Sequence, residues 1–196
     1  MNGENDTNSN MQLKKIVILG PESTGKSTLC AQLAAHYKSS WVPEYARTFL
    51  QDTGNAYGYE DLFEIAKGQK LGEDNAEKNY YLMHPTAAGK AAYPLFLDTD
   101  LYVIKIWSEI SFNKCDNRIL TSIAQTKQDL YLLCNTDLPW VEDPLREYPD
   151  LAMRQRIFSH YKDAMVNQDV AWVDIKGDYT QRFQTAIEHI DALIGN

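Results

Sequence analysis

Gly20-Pro21-Glu22-Ser23-Thr24-Gly25-Lys26-Ser27 (GPESTGKS) decides how the rest of this sequence is read. It satisfies G-x-x-x-x-G-K-[ST] at every fixed position. It stands between an apolar run, Lys14 to Gly20 (KKIVILG), and a segment from Lys26 to Tyr37 in which Leu29, Leu33 and Tyr37 recur at helical spacing. Strand, glycine loop and helix follow in the order a phosphate cradle requires. The glycines let backbone N–H groups close around a β-phosphate at the positive end of the following helix. Gly20, Glu22, Ser23, Thr24, Gly25 and Thr28 are read as parts of that cradle, Lys26 as the cation for the β- and γ-phosphates, and Ser27 as a hydroxyl ligand of Mg²⁺. A chance match on a glycine-rich turn would not require the flanking strand and helix.

Working outward, Trp41 and Val42 suggest a second strand ending at Pro43, followed by a short helix from Glu44 to Gln51 and a long one from Tyr59 to about Tyr81. A loop, HPTAAGKAAYP, leads to Pro94 to Asp98 (PLFLD), an apolar run ending in acid, as expected of a buried parallel strand whose C-terminal end faces a site. Helices are expected over Leu101 to Phe112 and Arg118 to Lys127, and a strand over Leu130 to Cys134 (LYLLC). Asp137 to Pro149, with three prolines among charges, reads as a loop or broken helix. A helix from Leu151 to Val166, a strand from Val170 to Ile175 and a closing helix from Tyr179 to Ile194 complete the chain. In the last, Tyr179, Phe183, Ile187, Ile190 and Ile194 are expected to face inward. Five strands alternating with helices predict an α/β layered sheet.

The 196 residues, 44% hydrophobic, suit one domain over residues 13–196. Residues 1–12 begin with an Asn-rich stretch too polar to offset the entropy of ordering it, and are expected to be a disordered tail. Nothing approaches the roughly 18 apolar residues of a membrane span, and no signal-peptide pattern opens the chain, so no membrane partner and a cytoplasmic location are expected. A net charge of −8 argues against a nucleic-acid partner and for a small-molecule substrate. The three cysteines, Cys30, Cys115 and Cys134, are too far apart for a zinc or disulfide framework and read as buried free thiols.

Four further stretches carry chemistry. Asp98 stands where an acid holds the Mg²⁺ hydration shell, while Thr99 or Asp100 is placed to cap the next helix. Glu44, Tyr45 and Arg47 follow the second strand and are read as substrate-binding. Glu44 is suited to take a proton from an attacking hydroxyl and Arg47 to steer negative charge; the alternative is a surface i, i+3 ion pair. Trp140 to Arg146 (WVEDPLR), before a helix carrying Arg154 and Arg156, suits a lid whose Arg146 neutralises developing charge, or else a solvated charged turn. Thr126-Lys127-Gln128-Asp129 imitates a guanine-reading motif but precedes its strand, and reads as a helix end. The four histidines form no ligand cluster.

Taken in order, PESTGKST, PEYART, FLDTD and CNTDLPWVEDPLRE make the chain from Lys14 onward resemble the kinase domain of the NadR-type ribosylnicotinamide kinases. The resemblance implies a P-loop three-layer sandwich with a lid, a mostly parallel five-stranded sheet, ATP and Mg²⁺ as cofactors, and phosphoryl transfer to the 5′-hydroxyl of nicotinamide riboside. By position it implies that Gly25, Lys26, Ser27 and Thr28 hold phosphate and Mg²⁺ and that Asp98 and Asp100 line metal and substrate. It further implies that Glu44 and Arg47 face the acceptor, that Trp140 and Arg146 belong to the lid, and that Gly177 and Asp178 border adenine. The sequence departs from the family at Pro43, where an aromatic residue often stands, and at Asn75 or Asn79 in the long helix, whose Tyr80 and Tyr81 come late. The acceptor is therefore read as nicotinamide riboside or a similar nucleoside or vitamin alcohol. The adenylyltransferase and DNA-binding modules of fused family members are not expected ahead of Lys14. The competing reading is a regulatory ATPase or nucleotide-sensing switch acting on a protein partner.

Overall fold

The first strand is apolar along its whole second half because both of its sides are covered. In the computed structural model, which describes residues 12–84 and 92–195, Ile16, Val17, Ile18 and Leu19 of β1 (Leu13–Leu19) have no solvent exposure at all. Ile16 and Ile18 pack with Leu29, Leu33, Ala186 and Ile190 on one face. Val17 and Leu19 pack with Ile106, Ile157 and Tyr161 on the other. Burial of each such side chain stabilises the fold by roughly 1.5–3 kcal/mol, so the continuous run specifies a central strand rather than an edge. The expected tail up to residue 11 and residues 85–91 of the expected loop lie outside the described residues.

The order along the chain is β1, α1 (Lys26–Tyr37), β2 (Trp41–Val42), α2 (Tyr45–Thr53), α3 (Asp61–Met83), β3 (Tyr93–Asp98), α4 (Leu101–Phe112), α5 (Asn117–Gln125), β4 (Leu130–Cys134), α6 (Leu151–Val166), β5 (Trp172–Ile175) and α7 (Tyr179–Ile194). The five strands form one sheet in the order β2-β3-β1-β4-β5, with every pairing parallel. After β1 the chain goes to one side for β3 and to the other for β4, so the carboxyl ends of these three strands enclose the crevice where ligands bind in such sheets. α1 and α7 cover one face; α3, α4 and α6 cover the other, with α2 and α5 packed outside around Leu62, Ile65 and Ile119.

The closing helix differs from its expected face. Its buried stripe is Arg182, Ala186, Ile190 and Ile194, while Tyr179 is 45% exposed. Phe183 and Ile187 flank the stripe, so an arginine occupies the place that periodicity gave to an apolar side chain. Cys30 and Cys134 are buried free thiols as expected, and Cys115 is half-buried. Asp129 of the guanine-motif look-alike accepts from Lys14 Nζ and from the Lys15 N–H, both at 2.9 Å, and clasps β1.

One buried acid has a stability cost. Glu73 of α3 is 2% exposed, and neither carboxylate oxygen has a hydrogen-bond partner among the described residues. Burial and then the nearby Asp100 push its carboxyl up to about 8, with Lys70 and Lys15 opposing. Because the folded value exceeds the ordinary 4.5, the stability this group contributes is present below about pH 4.5 and is lost as pH rises through about 8. Glu73→Gln is expected to flatten that slope and to be more stable than the parent at pH 8.5 by up to ~5 kcal/mol, measured by denaturant unfolding across pH. A variant whose stability follows the parent's at every pH would remove Glu73 as the source.

Candidate functional site

Two glycines at positive φ shape the phosphate loop. Gly20 has φ +137°, and a Cβ there would stand 2.5 Å from the Cys134 carbonyl oxygen of the neighbouring strand. Gly25, at φ +77°, begins α1 without a side-chain cap, so the first amides of that helix point into the loop. Inside, Lys26 Nζ donates to the Pro21 carbonyl at 2.8 Å and Thr24 Oγ1 donates to the same oxygen at 2.7 Å. A neutral carbonyl is a weak partner for an ammonium group. A phosphate arriving in the loop offers a stronger one.

Asp98 ends β3 beside this loop and is 2% exposed; its Oδ1 has no partner among the described residues. Burial raises its carboxyl above the ordinary range, and the adjacent Ser27 hydroxyl and then Lys26 and Arg47 oppose the rise. An orphaned carboxylate oxygen beside a hydroxyl is a hard oxygen donor set, which fits Mg²⁺. Thr99 then takes φ +73°, an uncommon value for a β-branched residue, and the chain turns so that Asp100 points away from the loop. Asp100 caps α4 by accepting from the Tyr102 N–H at 2.9 Å and accepts from Tyr131 Oη at 3.1 Å. It does not line the cavity.

Gln69, absent from the sequence-level reading, ties these parts together. Its Oε1 accepts from the Tyr45 N–H at 2.9 Å and its Nε2 donates to the Thr99 carbonyl at 3.2 Å, which joins the start of α2 to the Asp98 turn. The Tyr45 ring lies on Gly68 of α3, where any side chain would collide with it, so Tyr45 docks α2 instead of lining the cavity. Glu44 does line it. Burial raises the Glu44 carboxyl above its ordinary value, Lys26 opposes this, and Asp98 adds to it, which places the acid among the charges of the loop.

The cavity has a volume of about 310 Å³ and runs from the phosphate loop, Gly20 through Thr28, past Glu44 and Arg47 to an apolar end. That end is walled by Val103, Ile106 and Trp107 of α4 and by Ile157 and Tyr161 of α6. Tyr57 closes one corner; it accepts from Trp107 Nε1 at 3.0 Å and donates to Glu147 at 2.9 Å. These aromatic residues lie outside the sequence-level site, since they come from separate segments with no common motif.

Residues 141–148 form the roof, held from below. Glu22 accepts from the Glu147 and Tyr148 N–H groups, both at 2.9 Å, and Ser23 Oγ accepts from the Val141 N–H at 2.8 Å and from Arg146 at 3.4 Å. Arg47 pairs with Asp143 at 2.7 Å, which lowers the Asp143 carboxyl below its ordinary range. The side chains of Glu22 and Ser23 therefore serve the roof, and Arg47 is shared between roof and cavity. Arg146 lines the cavity, whereas Trp140 stands outside it, with its ring 5.7 Å from the Arg146 guanidinium and 5.4 Å from that of Arg154.

Gly177 and Asp178 also stand outside this cavity. Gly177 donates its N–H to Asp137 at 2.5 Å, and Asp178 forms a capping box with Gln181 at the start of α7. Above them Arg182, 2% exposed, donates to the carbonyls of Gly177 at 2.7 Å, Asn135 at 2.9 Å and Thr24 at 3.0 Å, and pairs with Asp137. One guanidinium thus joins the phosphate loop to the loops after β4 and β5. Pro43 and Asn75 are exposed and do not line the cavity, and Tyr80 stacks on Tyr93 at the opening end of β3, 4.8 Å between ring centroids.

The pattern of a family described as AAA domain matches residues 15–182. The trifunctional NAD biosynthesis/regulator proteins NadR of Salmonella typhimurium and Escherichia coli are each 27% identical over 188 residues, covering 93% of this chain and 43% of theirs. The chain thus spans less than half the length of these curated relatives. A crystal structure of NadR protein in complex with NR superposes with TM-score 0.72 at 20% identity, over 93% of this chain and 50% of that one. Thymidylate kinase from Ehrlichia chaffeensis superposes with TM-score 0.65 at 11% identity, over 91% of this chain and 99% of its own. At these identities the two superpositions establish the fold: a five-stranded parallel α/β sheet of the P-loop type. Among the described residues no helix is long and apolar enough to cross a membrane.

Proposed function

We propose that this chain, which belongs to the AAA domain family, is an ATP- and Mg²⁺-dependent kinase that phosphorylates a hydroxyl of a small nucleoside-like alcohol, with nicotinamide riboside the first candidate. The observation that carries this reading is the cavity: it joins the phosphate loop to a roofed apolar chamber, with Glu44 between them. A hydrolase needs room for one water; this chamber has room for a ring and a sugar. The likeness to NadR supports nicotinamide riboside, and Pro43 and Asn75 leave its ring to the Tyr57 and Trp107 wall.

In this reading Lys26 and the amides at the start of α1 hold the β- and γ-phosphates, and Ser27 and Asp98 hold Mg²⁺, which supplies charge neutralisation on the phosphates. The acceptor rests its apolar part against Val103, Ile106 and Trp107 and presents its hydroxyl to the γ-phosphate. Glu44 orients that hydroxyl and accepts its proton, while Arg146 balances charge from the roof side. The roof excludes water and so favours transfer over hydrolysis.

The test is ADP release with ATP and Mg²⁺ over a panel of nucleosides and vitamin alcohols, followed by the mass of the product. Release is expected to rise sharply with nicotinamide riboside and to yield a product one phosphoryl group heavier. ADP release that ignores every alcohol and responds only to a protein would establish the switch reading instead. Glu44→Gln is expected to lower kcat by at least ~10²-fold with ATP affinity kept. Because burial raises the Glu44 carboxyl, the parent's acid limb should lie above the ordinary carboxylate range, and the variant should lose that limb.

A further inference from the structure

A second concavity lies on the other side of the phosphate loop. It is an open groove lined by residues 135–139, which follow β4, and by Leu151, Arg154 and Gln155 at the start of α6. Leu138 of this groove is the nearest neighbour of Gly25, 3.0 Å from where a Cβ would stand, so the groove abuts the loop directly. Arg154 is 3% exposed, and its Nε and Nη1 have no hydrogen-bond partner among the described residues. The Trp140 ring lies 5.4 Å from the guanidinium. Along α6 it shares a buried stripe with Ile157 and Tyr161, which line the first cavity, so it stands where groove and cavity meet.

A buried guanidinium without a carboxylate is costly. Arg182, equally buried, has its carbonyls and an acid; Arg154 has an indole face. A fold that keeps such a cation beside a phosphate loop is holding it for an anion that arrives with a ligand. We propose that Arg154 is a phosphate-binding residue: the groove takes part of the bound nucleotide's polyphosphate, and the Arg154 guanidinium is its counter-charge. This rests on the reading of the protein as one that binds ATP. Trp140, placed against both Arg146 and Arg154, then acts as a spacer that keeps the two cations apart until phosphate lies between them.

The test compares the full chain with Arg154→Met, which keeps the apolar stem and removes the charge, and with Arg154→Lys. Thermal midpoints are measured without nucleotide, and affinities for ATP and ADP with Mg²⁺ are measured by titration calorimetry. Arg154→Met is expected to have a nucleotide-free midpoint equal to or above the parent's and an ATP affinity lower by about tenfold or more, with Arg154→Lys recovering part of that loss. A packing role predicts the reverse. A lower nucleotide-free midpoint for Arg154→Met, its failure to fold, or an ATP affinity equal to the parent's overturns the proposal. If the parent itself binds no ATP, the kinase reading fails and takes this one with it; if the parent binds and the methionine variant binds equally, only this one fails.

Discussion

Lys26→Ala is expected to lower acceptor-dependent ADP release by at least ~10³-fold, the order of effect seen when a main cationic contact to a transferring phosphoryl group is lost. The size follows from what Lys26 does without ligand. Its ammonium group lies 2.8 Å from the Pro21 carbonyl, inside the loop and beside the Glu44 and Asp98 carboxylates. Among the described residues no other lysine lines the cavity, and Arg146 and Arg47 reach it from the roof and α2 sides. Alanine is well suited to the first turn of α1, so the fold should tolerate the change, with a thermal midpoint within about 4 °C of the parent. Turnover within tenfold of the parent would remove Lys26 from phosphoryl transfer, and a collapsed midpoint would make the loss of activity structural.

Arg182→Met is expected to cost about 3–5 kcal/mol in unfolding free energy, because removing one partner of a buried, hydrogen-bonded charge leaves the others unsatisfied. The carbonyls of Thr24, Asn135 and Gly177 would lose the guanidinium donor, and the carboxylate of Asp137 would keep only the Gly177 N–H. Arg182→Lys should recover little, since a compact ammonium group cannot span three loops as a planar fork does. Denaturant unfolding of both variants decides this. A loss below about 1 kcal/mol would mean that the loops hold their positions independently.

The same residue shows where pattern reading stops. The strands were legible because each central one is covered on both sides and is written as an apolar run, as in KIVIL, PLFL and LYLLC. The face of α7 was misassigned at Tyr179 because periodicity counts apolar residues, and here the inward position is charged and satisfied by distant carbonyls. The roof was legible as a proline-broken loop, yet its attachment was not. Glu22 and Ser23 sit in variable positions of the motif, and their partners lie more than a hundred residues away. Asp98, the acid we propose for Mg²⁺, was marked by its place at a strand end, whereas Asp100 and Tyr45 resolve into a helix cap and a packing ring only once the Thr99 turn and Gly68 are seen. Tyr57 and Trp107 carry no motif, and only the packing of separate segments brings them to one wall.

The bond from Arg182 to the Thr24 carbonyl spans 158 residues. On the ribosome, the motif that names this loop therefore emerges well before the side chain that fixes its backbone. A nascent chain that has not yet reached α7 carries the whole phosphate-loop signature without the brace that sets its shape, so the ability to hold nucleotide should mature only once α7 has emerged, after all five strands.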